Sequence, residues 1–75
     1  MYHTIEFKDA FTADLEVSPT QPLERLRVRQ GTRASVQLKP YVVETPDGLI
    51  EVADLFFADG TTTRAVPFDR FSFVD

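Results

Sequence analysis

Residues 45–66 constrain the fold of this chain more than any other segment, because they contain two Asp-Gly pairs with an alternating apolar run between them. Glycine adopts the positive backbone φ that tight hairpin loops need, and aspartate can hydrogen-bond to its own backbone in a turn. An alternating run between two such turns is typical of a strand. The segment therefore predicts a β-meander of three antiparallel strands, to which the rest of the chain adds further strands.

The second Asp-Gly pair, at residues 59–60, allows two hairpin registers. A three-residue loop that ends in the glycine places Asp54 opposite Arg64, whereas a two-residue loop places Asp54 opposite Ala65. Opposite charges that face each other across two strands contribute about 0.2–1 kcal/mol relative to an alanine pair. This contribution favours the three-residue loop.

The first turn, Pro-Asp-Gly at residues 46–48, predicts a three-residue loop by the same logic. That loop places Val42 opposite Val52, and the second hairpin places Val52 opposite Val66. The two turns together thus predict one apolar row of three valines across the meander, on the face that also carries Ile50. A slip of one residue in either hairpin would break this row.

Apolar and polar residues also alternate with a period of two outside the meander, which predicts further strands. These segments are residues 2–7, 11–17, 33–39, 41–44 and 71–74, with another starting at residue 26. Pro40 separates two of them, and because proline cannot donate to a sheet ladder, we expect it at an edge or a bulge.

Short helical alternatives exist at three places. Phe7, Phe11 and Leu15 are four residues apart, as on a helix face, although the strict alternation from residue 11 onward favours a strand. Residues 23–27 can form a single helical turn after a proline-containing loop. Residues 67–70 are expected to form a tight turn or a 3₁₀ turn before the closing strand.

The spacing of turn signals, one every eight to twelve residues, predicts the fold class. Six to seven short strands with no long helix indicate an all-β protein, and 75 residues are enough for one small domain, residues 1–75. Over about the last 30 residues, the order strand, Asp-Gly turn, strand, short turn and final strand resembles SH3-like and Sm-like small barrels. We therefore predict an antiparallel meander that closes into a partly open barrel, or a small sandwich, with at most one helical turn.

Composition narrows the class of protein further. The chain has no cysteine, which excludes disulfides and thiol nucleophiles. Its first residues lack the basic start and apolar core of a signal peptide, and no run approaches the roughly 20 apolar residues that span a bilayer. A hydrophobic content of 43% with seven phenylalanines favours a folded chain over a disordered one. We expect a cytoplasmic protein that makes no contact with membranes.

The basic side chains are concentrated in one segment. Residues 25–39 carry five basic side chains and no acid, while the segments on both sides are acidic and the whole chain has a net charge of −4. The spacing predicts a basic hairpin between two acidic regions.

This basic hairpin is the candidate binding site. Arg25, Arg27 and Arg29 alternate along one strand face about 6.6–6.8 Å apart, which suits a row of phosphates or an acidic partner. Arg33 can extend the row, and Tyr41 is a candidate stacking platform for a base.

A purely structural interpretation of the arginine row is also open. Asp14, Glu16 or Glu44 on neighbouring strands can pair with the arginines and leave a solvated strand face. The acidic isoelectric point, near 4.8, favours this interpretation over nucleic-acid binding, because the protein as a whole repels phosphate at long range.

Little in the sequence points to catalysis or metal binding. His3 is the single histidine and lies near the N-terminus. Only three glycines are present, and they do not form a phosphate-binding loop. A zinc site would have to rely mainly on carboxylates, which is unusual. We predict a protein that is not an enzyme and has no cofactor, metal or catalytic residue.

The positions of the phenylalanines indicate which surfaces could bind a partner. Phe56 and Phe57 are adjacent in a strand and must point to opposite faces, while Phe71 and Phe73 share one face. Apolar residues on both faces of a thin sheet favour a second copy or a partner that covers them. We predict a non-catalytic binding module that acts as an accessory or regulatory protein, with a protein partner or a homodimer bound through an edge strand or an exposed Phe patch. The alternative is binding of nucleic acid or phosphate through residues 25–39.

Overall fold

The computed structural model describes all residues 1–75 and consists of antiparallel strands with one 3₁₀ turn. The elements are β1 (His3–Phe7), β2 (Phe11–Leu15), β3 (Glu24–Val28), β4 (Arg33–Thr45), β5 (Gly48–Phe57), β6 (Thr62–Pro67), the 3₁₀ turn (Phe68–Arg70) and β7 (Phe71–Phe73). Five strands form one sheet in the order β6-β5-β4-β1-β7, and β2 pairs with β3 in a separate hairpin. The all-β, antiparallel fold class is confirmed.

The predicted closure of the meander into a partly open barrel is not found, because the sheet stays open. Glu16, the residue after β2, forms a single bridge with Thr62 of the edge strand β6, with backbone hydrogen bonds of 2.7 and 2.9 Å. β3 and β7 are the last strands of their sheets, and nothing pairs with their outer edges. The apolar side chains of the β2–β3 hairpin pack against the large sheet. The hairpin therefore covers that sheet and does not bridge its two edges.

The core lies where this hairpin meets the five-stranded sheet. The ring of Phe11 on β2 packs against the ring of Phe7 on β1, with 5.3 Å between centroids. Eight buried side chains form one cluster: Ile5, Phe7, Val28, Val36, Ala53, Leu55, Val66 and Phe71. The cluster draws on β1, β3, β4, β5, β6 and β7, so both sheets share one core.

The β5–β6 hairpin has the three-residue loop that the sequence predicts. The Phe57 amide donates to the Thr61 carbonyl at 2.8 Å, and the amide of Gly60 donates back to the Phe57 carbonyl at 3.0 Å. Gly60 has a φ of 93°, the conformation for which glycine is needed. The local turn chemistry therefore sets the start of this pairing.

Further along, a β-bulge changes the register of this hairpin. Arg64 and Ala65 both stand opposite Asp54, so that Val52 faces Pro67 and not Val66 as predicted. The extra residue is accommodated because the Ala65 amide donates to the Asp54 carboxylate at 2.9 Å instead of to a backbone carbonyl.

The β4–β5 hairpin has a two-residue loop, one residue shorter than predicted. Thr45 pairs with Gly48, and Val42 therefore faces Glu51 and not Val52. The Thr45 hydroxyl closes the shorter loop, since it donates to the Gly48 carbonyl at 2.7 Å and accepts from the Asp47 amide at 3.2 Å.

These two shifts abolish the predicted row of valines. Val42 is 57% exposed, whereas Val52 and Val66 are buried. Val66 faces Ala53 in the core cluster, while Val52, adjacent to Ala53 in β5, points to the opposite face together with Ile50.

Three other expectations concern single segments. Residues 23–27 do not form a helical turn, because Glu24–Val28 is strand β3. β4 continues through Pro40, which pairs with Ala53 without a bulge. Proline is tolerated there since β1 covers only Arg33–Val36 of β4, which leaves a local edge, as predicted. The 3₁₀ turn before β7 is confirmed.

The predicted basic hairpin of residues 25–39 does not exist as a hairpin. β3 pairs with β2, whereas β4 pairs with β1 and β5. The turn between β3 and β4 is instead held by β1, because the amide of Gly31 donates to the Phe7 carbonyl at 2.8 Å. The basic segment is thus divided between two sheets.

Candidate binding site

Strand β3 presents two of the predicted arginines on one outward face. Leu26 and Val28 point towards the core, so alternation directs Arg25 and Arg27 outward, where both are exposed. Only one edge of β3 is paired, with β2, and its other edge is open. The arginines therefore border a free backbone edge.

The arginines of this strand have no acidic partner. The three ion pairs between arginines and carboxylates lie elsewhere, and none involves Arg25, Arg27 or Arg29 within 4.0 Å. Asp14 is the cross-strand neighbour of Arg25, yet the two side chains form no ion pair. Glu16, another acid proposed to neutralise the row, binds Arg64 instead. The positive charge of β3 is thus available to a ligand.

The two other predicted arginines, Arg29 and Arg33, do not lie on β3 with Arg25 and Arg27. Arg29 follows the last residue of β3, and its amide donates to the Thr32 hydroxyl at 3.2 Å. Arg33 lies on β4 and forms a 3.0 Å ion pair with Glu6 on β1. Arg25 and Arg27 thus form the row on β3, Arg29 lies directly after it, and Arg33 belongs to the large sheet.

Tyr41 also lies away from the arginine row. It sits on β4 opposite Val52, and its hydroxyl donates to Asp54 at 2.8 Å. This hydrogen bond, with burial and the negative charge of Asp54, raises the pKa of the Tyr41 hydroxyl. The structure thus places Tyr41 in the meander, on a different sheet from the arginines of β3.

Asp54 is the most buried charged residue of the protein, with 6% of its surface exposed. Besides the Tyr41 hydroxyl and the Ala65 amide, it accepts a hydrogen bond from Arg64 at 3.2 Å. Burial raises the pKa of the Asp54 carboxyl, but these three donors outweigh it and bring the pKa below its ordinary value. The predicted contact of Asp54 with Arg64 is confirmed.

Arg64 extends this network to the second sheet. Its guanidinium also binds Glu16, next to β2, with an N–O distance of 3.1 Å, and this hydrogen bond is the main cause that raises the pKa of Arg64. No buried side-chain nitrogen or oxygen in the protein lacks a hydrogen-bond partner. The network is fully satisfied within the fold and ties β5, β6 and the end of β2 together.

The distal half of the β4–β5 hairpin is a second exposed feature, which the sequence reasoning missed. We call residues 41–51 the arm, because β1 and β6 pair only with the parts of β4 and β5 outside it. Val42, Leu49 and Ile50 are 57%, 73% and 40% exposed there. The signal in the sequence is the apolar alternation itself, which by pattern alone also fits a buried strand face.

The phenylalanines divide between core and surface. Phe71 is buried, whereas Phe73 at the free edge of β7 is 51% exposed and packs edge-on against His3, with 5.5 Å between ring centroids. Phe57 packs against the core, and Phe56, on the opposite face, is half-buried. Phe73 is therefore the one phenylalanine that is exposed.

The fold and this site define a small open antiparallel β protein with an unpaired arginine row on a free edge strand. No protein-family model, curated protein or solved structure matches the chain. No three or more histidine or acidic side chains are grouped so that they could hold a metal ion. The structure has no helix of the length and apolar character needed to cross a membrane.

Proposed function

We propose that this chain is a non-catalytic protein-binding module, acting as an accessory or regulatory protein, and that β3 binds an extended acidic segment as an additional strand. The observation that carries the proposal is the combination of a free strand edge with three arginines that have no ion-pair partner. Main-chain hydrogen bonds of an added strand supply affinity, and alternate side chains supply specificity.

The charge of β3 selects the kind of strand that can be added. Two copies of β3 cannot pair favourably with each other, because like charges that face each other across strands destabilise the pair. A segment with an acid at every second position places each carboxylate beside a guanidinium, a charge-assisted contact. Arg25 and Arg27 then meet acids at the spacing of a strand face.

The test is a titration with fluorescein-labelled nine-residue peptides followed by anisotropy. A peptide that alternates Glu with Thr should bind the native protein, and the variant R25Q/R27Q should bind it at least tenfold more weakly. K39Q, which removes an exposed basic residue on β4, is the matched control and should bind almost like the native protein.

Two further peptides separate strand addition from general attraction between charges. A peptide of the same composition with all glutamates at one end should bind more weakly than the alternating peptide. Methylation of every second amide should remove binding, since it blocks the main-chain hydrogen bonds of one edge. Equal binding of the three peptides, or no binding of any, would disprove the proposal.

Nucleic acid or phosphate is the second candidate ligand, and the same unpaired guanidiniums favour it. Their spacing of about 6.6–6.8 Å along a strand suits a phosphate backbone. Against it stand the net charge of −4 and the position of Tyr41 on the other sheet. A fluorescent oligonucleotide titrated at low and at moderate salt decides the question, because counterion release favours binding most at low salt. We expect no binding, and saturable binding at low salt would favour this second function.

A further inference from the structure

We infer that the chain carries a ligand for its own β3, namely the β4 edge of the arm, and that copies of the protein associate head to tail through these two surfaces. This inference rests on the proposed function, since it names a second copy of the chain as the partner that supplies the acidic strand.

The arm has the charge that β3 requires. Its only side chains charged at neutral pH are Glu44, Asp47 and Glu51, and no lysine or arginine lies between residues 41 and 51. Glu44 and Glu51 are both exposed and point to the same face of the hairpin. None of the three takes part in an ion pair within the molecule.

The arm also offers a free backbone edge. The Ala58 amide donates to the Ser35 carbonyl, so odd-numbered residues of β4 direct their backbone groups towards β5. Even-numbered residues beyond the part of β4 paired with β1 therefore direct theirs outward. Val42 and Glu44 present such groups on the arm, beyond Pro40, which has no amide to donate.

The two edges fit in one antiparallel register. When Glu44 stands opposite Arg25 of the second copy, Val42 stands opposite Arg27, because two residues back along one antiparallel strand correspond to two residues forward along the other. The aliphatic stem of an arginine at that position can lie over the exposed valine, while its guanidinium extends towards Glu51, the neighbour of Val42 on β5. Each acid on this face of the arm thus meets one arginine.

Each copy has one arm and one β3, so the contact joins unlike surfaces. Two copies related by a twofold axis make two such contacts, and copies that do not close in this way form a longer chain. A contact between opposite charges also weakens as salt increases.

A charge exchange tests the inference. The variants R25E/R27E and E44R/E51R each place like charges across the proposed contact, and we expect both to sediment as the 8.5 kDa monomer. The native protein should show a mass that rises with concentration and falls with added salt. An equimolar mixture of the two variants, and the single chain that carries all four substitutions, should associate again, because opposite charges face each other in both.

Controls keep the outcome clear. Circular dichroism shows whether each variant is folded. If R25E/R27E is unfolded, the milder variant R27Q replaces it, and if E44R/E51R is unfolded, E44Q replaces it. A native protein that stays monomeric at all concentrations while β3 still binds the alternating peptide overturns the self-association and leaves the proposed function intact. If the native protein stays monomeric and the alternating peptide also fails to bind, both the proposed function and the self-association are disproved. Association that no charge exchange alters would place the contact elsewhere and overturn the inference.

Discussion

At the scale of single residues, Asp54 decides the local geometry of the meander. Its carboxylate accepts the Ala65 amide, and Ala65 takes a φ of 57°, which alanine adopts at a cost of about 1–2 kcal/mol. The hydrogen bonds to this buried carboxylate offset that cost. A conformation unusual for alanine is thus held by a side chain eleven residues away in sequence.

Replacing Asp54 by Asn should lower the free energy of unfolding by about 1–3 kcal/mol at neutral pH, because an amide cannot accept from all three donors and carries no charge for Arg64. Urea titration monitored by circular dichroism measures the difference. D69N, at an exposed acid in the 3₁₀ turn without an ion pair, is the control and should change stability by less than about 0.5 kcal/mol.

The same residue predicts a dependence on pH. The pKa of Asp54 is lower in the folded protein than its ordinary value of 3.8. The unfolded chain therefore binds a proton first, and the stabilisation is complete above about pH 5 and lost as pH falls below 3.8 towards the folded pKa. The stability difference between the native protein and D54N should shrink over that interval. A difference that stays constant to pH 2 would contradict the assignment.

At the scale of elements, the β4–β5 hairpin has two halves with different roles. Near the body, Leu55 is fully buried in the core cluster, whereas Leu49 on the same strand, in the arm, is 73% exposed. An isolated two-stranded hairpin is only marginally stable in water, so the arm depends on the core half of its own strands.

The variant L55A should lose about 2–5 kcal/mol of unfolding free energy, because it removes methyl groups from a packed core and leaves a cavity. L49A, the matched change on the same strand, should stay within about 0.5 kcal/mol at a protein concentration at which the chain is monomeric. Urea midpoints of the two variants provide the comparison. A large loss for L49A would mean that the arm is covered in solution, and measurement at several protein concentrations would show whether a second copy covers it.

At the scale of the whole molecule, the two sheets behave as one folding unit. Val28 of β3 belongs to the same core cluster as Phe7 of β1, and the Thr63 hydroxyl on β6 donates to the Asp14 carbonyl on β2 at 2.7 Å. Since the hairpin packs against the core of the large sheet, we expect the two sheets to unfold together.

Unfolding by urea should accordingly give coincident transitions by far-UV circular dichroism and by tyrosine fluorescence, which reports partly on Tyr41 in the meander. The heat capacity change should be about 0.9–1.1 kcal/mol/K, as for other proteins of this length. A far-UV transition that precedes the tyrosine transition would show that the β2–β3 hairpin, which contains no tyrosine, detaches separately.

Some of this architecture follows from the sequence alone. The strands, the three-residue loop ending at Gly60, the contact of Asp54 with Arg64 and the 3₁₀ turn all depend on residues near one another along the chain, where turn chemistry and alternation act directly. Alternation likewise predicted that the arginines of β3 share one face.

Other features were decided only by the tertiary structure. The bulge at Ala65, the pairing of β3 with β2 and the open sheet depend on which distant side chains share the core, and no local pattern specifies that. Whether the arginines are neutralised depends in the same way on where distant acids lie: Glu16 goes to Arg64 and leaves Arg25 and Arg27 without an ion pair. The sequence by itself determined the elements and their faces, and long-range burial determined which edges and charges remain free.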